Sequence, residues 1–177
     1  MSTASQTPAV PYIVTGQAGF SKPQGPFVVC ALYVSPDFAT PLKKHIQKLD
    51  RQNIDLTKKN NGIANFISPK QIEKIEAIVP VETIAMSEES YNNLLKETEC
   101  PIKLLTWVHC KVIKILISCY PQTQLIYVGT GAPLEEIKIS LSKAFNELKV
   151  MDADSGPEEA IRAARIIAGK RWKQRTD

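Results

Sequence analysis

The groups with which this chain could do chemistry are scattered, and their spacing excludes more than it offers. Four cysteines, Cys30, Cys100, Cys110 and Cys119, stand 70, 10 and 9 residues apart with no CxxC pair, so neither a zinc knuckle nor a redox dithiol is encoded. A zinc site built from Cys110, Cys119 and His109 is the sharp alternative, disfavoured because His109 and Cys110 are neighbours on a predicted helix and do not face one ion easily. The four are read as reduced, buried thiols of a cytosol-like compartment. The cations are more informative. Lys43, Lys44, Lys48, Arg51, Lys58 and Lys59 cluster early, and the stretch from Arg162 to Arg175 carries six Lys or Arg and no acid. Within it, Lys170-Arg171-Trp172-Lys173-Gln174-Arg175 mixes charge with an aromatic, a composition suited to phosphate contact and base or sugar stacking. The same cations also complement a helix C-terminus. Residues 73–99, with seven Glu against two Lys, form the opposite pole of a bipolar molecule.

These groups need a scaffold, and 177 residues with 44% hydrophobic content suffice for one α/β domain with a real core. A formal charge of +4 does not by itself identify a nucleic-acid binder. No apolar run reaches the roughly 18 to 20 residues of a membrane span, so a soluble protein is expected. Residues 1–11, polar and proline-bearing without a signal or transit pattern, are expected to be a disordered tail, and residues 12–177 the domain. Tyr12 to Thr15 reads as a strand, and Phe27-Val-Val-Cys-Ala-Leu-Tyr-Val34 as a strand covered on both faces and central to the sheet. Helical spacing over 39–51 is followed by an exposed loop from Asn53 to Asn65. Ser68 and Pro69 open a helix, Val79 to Met86 is a strand, and Ser87 caps a short acidic helix. Pro101 opens an apolar helix to Cys119, expected to be buried on most sides. Gln124 to Val128 is a strand, Pro133 opens a helix carrying Leu134, Ile137, Leu141 and Phe145, Leu148 to Met151 is an edge strand, and Gly156 to Trp172 is a helix rich in Ala and Ile.

Several colinear segments then carry a resemblance. Gly25-Pro26-Phe-Val-Val-Cys-Ala-Leu-Tyr-Val34, Lys58-Lys59, Tyr91-Asn92-Asn93-Leu94, Lys103-Leu-Leu-Thr-Trp107-Val-His109, and Asp154-Ser155 leading into Ala160-Ile-Arg-Ala-Ala-Arg-Ile-Ile-Ala168 resemble, in order, the type 2 ribonuclease H family, and its HIII branch more closely. The resemblance implies a ribonuclease H-like α/β fold, a mixed sheet of five strands flanked by helices. It also implies two-metal hydrolysis of the RNA strand of an RNA–DNA hybrid, with magnesium or manganese held by four carboxylates. Carried over residue by residue, the acidic pair of the first strand falls on Gly16 and Gln17, the acid of a later strand on Gly129, and the final acid on Asp154. The family's glycine loop, which presents backbone amides to the sugar-phosphate, falls on Ala18-Gly19-Phe20-Ser21. The serine of its last helix is replaced by Arg165, a charge that belongs at a surface or an interface.

Three of the four ligand positions therefore lack a carboxylate, and one Asp cannot hold two divalent ions against their hydration. No catalytic residues and no cofactor are expected. Asp154 is expected to cap the last helix, and a rebuilt site would need nearby acids, such as Asp152 or Glu158, to swing in. The expected function is a catalytically degenerate ribonuclease H-like module, acting as a nucleic-acid-binding or structural subunit of a nucleoprotein or multi-subunit complex. Lys43, Lys44, Lys58, Lys59, Lys170, Arg171 and Lys173 are the expected phosphate contacts, and RNA or RNA–DNA hybrid is the nucleic acid in view. The alternatives are an active metal-dependent endonuclease with a rebuilt site, and a scaffold or dimerisation module without nucleic acid.

Overall fold

The computed structural model describes residues 8–19, 27–57, 67–129 and 134–176. The start of the expected N-terminal tail (residues 1–7), Phe20 and Ser21 of the glycine loop, and Lys58 and Lys59 lie outside them. The elements run β1 Tyr12–Ala18, β2 Phe27–Val34, α1 Pro36–Thr57, α2 Pro69–Ile78, β3 Val81–Met86, α3 Glu88–Thr98, α4 Pro101–Cys119, β4 Leu125–Val128, α5 Leu134–Ala144, β5 Lys149–Asp152, a 3-10 turn Ala153–Ser155, and α6 Glu158–Thr176. The sheet order is β3-β2-β1-β4-β5, with β1, β2 and β3 antiparallel and β1, β4 and β5 parallel. β1 is thus the middle strand, and β2, expected there, is its neighbour. β2 is buried at all eight positions because helices cover both faces of the sheet.

Side-chain alternation divides the core into two layers. Tyr12, Val14, Val28, Cys30 and Leu32 pack with α1, α2 and α6, while Ile13, Phe27, Val29, Ala31 and Tyr33 pack with α3, α4 and α5. In the first layer, α6 presents Ala160, Ala163, Ala164 and Ala168, each at most 1% exposed. Side chains this short let its backbone come down close to the strands. Cys30 is buried in this layer, and burial pushes its thiol up to about 12. The other thiols depart from the sequence expectation: Cys100 and Cys110 are only partly buried and Cys119 is exposed, because they fall on the ends and outer side of α4.

Three element expectations are corrected. α1 starts at Pro36 and continues to Thr57, so residues 53–57 are helix and not loop. Pro41 then sits inside the helix, where its missing N–H leaves only the carbonyl of exposed Asp37 without its usual intrahelical partner, on the water side. α4 is buried on one side only: Leu104, Leu105, Val108, Val112, Ile113 and Leu116 face the sheet, whereas Lys103, Trp107, Lys111 and Lys114 are exposed. Phe145 lies past the end of α5, in the turn that follows it.

The close seating of α6 predicts an asymmetric response to substitution. Ala164→Leu should destabilise the fold by about 1 to 3 kcal/mol or more through overpacking, whereas Arg165→Ala, one residue on and exposed, should stay within about 0.5 kcal/mol of wild type. Urea unfolding of the two variants checks this; equal effects would show that α6 does not seat as described.

Candidate functional site

The parallel pairing of β1, β4 and β5 brings their C-terminal ends to one side of the sheet. All four positions assigned to carboxylates lie there. Gly16 and Gln17 belong to the end of β1, Gly129 follows β4, and Asp154 lies in the 3-10 turn after β5. The structure thus collects the positions while changing what they can do.

Gly16 is covered by backbone. A Cβ placed on it would stand 2.7 Å from the amide nitrogen of Arg165 and 2.8 Å from the carbonyl carbon of Ala164. Those atoms belong to the middle of α6 and cannot swing aside as a side chain can. Gly129 donates its N–H to the carbonyl of Thr15 at 3.0 Å and to its Oγ1 at 3.3 Å. A Cβ there would overlap the Thr15 carbonyl oxygen. Neither position has room for a carboxylate without moving the chain.

Gln17 points the other way. The β1–β2 ladder continues through Gly16↔Cys30, Gln17↔Val29 and Ala18↔Val28, so consecutive side chains alternate faces, and residues 16 and 17 address opposite layers. Gln17 Oε1 lies 3.2 Å from Nε2 of His109, a fully buried residue of α4. An amide oxygen only accepts, so Nε2 carries the proton and donates, and Nδ1 is the bare nitrogen. Nδ1 has no partner among the described residues, and an orphaned lone pair costs less than an orphaned N–H. Burial lowers the His109 pKa to about 3, which keeps the ring neutral beside a neutral amide.

Asp154 is exposed in the first turn of the 3-10 segment, and among the described residues its side chain makes no hydrogen bond, so the expected helix cap is not seen there. Asp152, which pairs with Val128 at the end of β5, accepts from Lys138 Nζ at 3.1 Å. That hydrogen bond is the main reason the Lys138 ammonium holds its proton more tightly than usual. Glu158 is exposed at the start of α6. Among the described residues no three His, Cys, Asp or Glu side chains converge as a metal-binding set. Of the glycine loop, Gly19 adopts φ +89°, and the Trp172 indole lies where a side chain at residue 19 would stand.

The expected phosphate contacts divide. Lys44 on α1 is exposed, whereas Lys43 lies 3.7 Å from Glu159 and Arg171 2.9 Å from Glu76. Lys170 and Arg171 border a cleft of about 250 Å³ that also holds Glu73 and Glu76. Lys173 is partly buried near the end of α6. Like Lys44, Lys48 and Arg51 on α1, the α4 residues Lys103, Lys111 and Lys114 have no carboxylate within 4.0 Å among the described residues. Their spacing around Trp107, at intervals of four, four and three, was available in the sequence and marks one helix face.

Two measurements follow from this geometry. Gly16→Ala should cost at least about 2 kcal/mol, since a single methyl meets helix backbone; a neutral effect in urea unfolding would show that α6 can lift. His109 binds its proton less readily folded than unfolded, so the unfolded chain takes up more protons between about pH 6.5 and 3. Its contribution is complete above about pH 6.5, and stability is lost as the pH falls below it, by up to about 1.4 kcal/mol per pH unit. His109→Gln should reduce the difference in unfolding free energy between pH 7 and pH 5 by about 2 kcal/mol; an unchanged difference would contradict the buried neutral ring.

No family model and no curated protein sequence matches the chain. Solved structures do. The structure is similar to that of Bst-RNase HIII in complex with Mn2+, with a TM-score of 0.65 and 18% identity over 97% of this chain and 55% of that one. It is also similar to the RNase HII of the PCNA:RNase HII complex from Archaeoglobus fulgidus, with a TM-score of 0.64 and 18% identity over 93% of this chain and 73% of that one. The ribonuclease H2 from Pyrococcus horikoshii OT3 superposes with a TM-score of 0.60 and 15% identity over 94% of this chain and 74% of that one. The chain spans about half the length of the RNase HIII it matches. The strand order, the mixed pairing and these superpositions establish that the chain carries the ribonuclease H-like fold.

Proposed function

We propose that this chain is a ribonuclease H fold from which two-metal chemistry has been lost, retained as a nucleic-acid-binding or structural subunit of a nucleoprotein or multi-subunit complex. The observation that carries the reading is the seat of α6 on Gly16. A pair of divalent ions needs several carboxylates to offset its charge and hold its geometry. Here one position is roofed by helix backbone, a second abuts the Thr15 carbonyl, and the third is a neutral amide committed to His109 on the opposite face. The residues present do not fit a metal pair.

With that chemistry removed, function lies in surfaces. The cations of α1 and α6 (Lys43, Lys44, Lys170, Arg171 and Lys173), with Lys58 and Lys59, supply the phosphate-binding face of this reading. A structure similar in fold is that of a PCNA:RNase HII complex, which supports a protein partner for this chain as well. The exposed Arg165, on the side of α6 away from the sheet, is a candidate contact for such a partner.

Hybrid cleavage with excess magnesium or manganese should stay at background. Multiple-turnover cleavage that disappears in Asp154→Asn would overturn the reading and return the protein to the nucleases with a rebuilt site. Duplex or hybrid binding should be salt-sensitive and nearly sequence-independent, with a log–log slope of roughly −4 if about four phosphates are neutralised. Replacing Lys44, Lys58 and Lys59 with Ala, which leaves the Lys43 and Arg171 ion pairs intact, should flatten that slope by about three. Absence of any retention at low salt would leave the protein-scaffold alternative.

A further inference from the structure

The geometry points to a second nucleic-acid contact on the outer face of α4, where Lys103, Lys111 and Lys114 hold the phosphates of a single strand and Trp107 stacks one of its bases. This deepens the proposed function and rests on it only for the class of ligand; the surface itself lies on the other side of the sheet from α1 and α6. Residues 103, 107, 111 and 114 fall within one helical stripe about 16 Å long at 1.5 Å per residue, the length of a few nucleotides. All four are exposed, and none of the three lysines has a carboxylate within 4.0 Å among the described residues. On the opposite side Lys43, Arg162 and Arg171 are each paired with an acid of this chain, while Lys44, Lys48 and Arg51 have no carboxylate within 4.0 Å among the described residues, so the feature particular to α4 is the exposed Trp107 amid its lysines.

Trp107 is 46% exposed, an uncommon state for the largest aromatic side chain. Lys111 Nζ lies 4.6 Å from the ring centroid, a cation–π contact that steadies the indole. The ring also borders a groove of about 410 Å³ between α4 and α5, whose floor includes Thr106 and Ser140 and whose one acid is Glu136. That volume is within the range of small-molecule sites. Steadied aromatics beside unpaired cations are the composition of a single-strand platform, since every base has a π-face and every linkage a phosphate. A protein interface fits less well. Interface cores are depleted in lysine, and Trp107 and Ile139 are the only large exposed apolar side chains among the described residues.

The test is fluorescence anisotropy of labelled oligo-uridine and oligo-thymidine against blunt duplex, using the whole chain over a range of salt. Replacing Lys103, Lys111 and Lys114 with Ala should flatten the single-strand slope by about two, at about 0.7 per phosphate. Trp107→Ala should weaken single-strand binding about tenfold with little change of slope, and Trp107→Phe should recover most of the loss, because stacking needs a ring and not the indole N–H. These side chains are exposed, so thermal midpoints should match wild type. If the α4 variants bind single strands like wild type while the Lys44, Lys58 and Lys59 variant has lost binding, the α4 inference is overturned and the proposed function stands. The reverse pattern sustains α4 and removes the α1–α6 face from the reading. Failure of the wild-type chain to retain any single strand at low salt, or equal loss in Trp107→Phe and Trp107→Ala, overturns the stacking platform.

Discussion

The rest of the molecule depends on the contact between the backbone of α6 and the backbone of β1. β1 is the middle strand, and Gly16 is the point on it where a missing Cβ lets a helix touch strand without an intervening side chain. Four alanines on the facing side of α6 complete the fit. Interiors are packed to the density of organic crystals, so a contact of this closeness tolerates neither an added methyl nor an added charge. It holds the last helix against the sheet along its length and carries Trp172 onto the backbone at Gly19.

That contact also underlies the proposed loss of metal chemistry. Parallel strands deliver residues 16, 17, 129 and 154 to one side of the sheet, as the fold requires. Strand alternation then separates residues 16 and 17, and each is absorbed into the layer it faces. Gly16 becomes packing under α6, and Gln17 becomes the polar partner of a buried histidine. A glutamate in place of Gln17 would carry its charge into a site where burial already disfavours the charged ring of His109. The neutral amide is the form consistent with that surrounding.

Charge is arranged by the same layering. On the α1–α6 side, cations and acids of distant segments meet: the Arg162 guanidinium grips Asp50 with contacts of 2.6 and 2.7 Å, and Lys43 and Arg171 find Glu159 and Glu76. Such partly exposed pairs contribute about 1 kcal/mol or less each to stability, but they lower the positive potential available to a phosphate. On the α3–α5 side the exposed stripe of α4 keeps its lysines unpaired. Among the described residues, cations without an acid thus remain on both sides of the sheet, Lys44, Lys48 and Arg51 on α1 and Lys103, Lys111 and Lys114 on α4.

The sequence by itself determined what depends on neighbours in the chain. The apolar run Phe27–Val34 specified a strand buried on both faces, Pro101 the start of α4, and the alanine and isoleucine positions after residue 158 a helix. The residue types at 16, 17 and 129 already removed three carboxylates. Only the tertiary structure decided what depends on approach between segments far apart. It roofed Gly16 with residues 164 and 165, joined Gln17 to His109, and placed Asp154 in an exposed turn where it caps nothing among the described residues. It also paired Lys43 with Glu159, and Arg171 with Glu76, an acid that composition had assigned to a separate pole. α4 was legible as a helix, but its many Ile, Leu and Val residues masked the exposed face. Burial depends on which side meets the sheet, and four residues in a regular spacing carry that information only once the direction of the core is known.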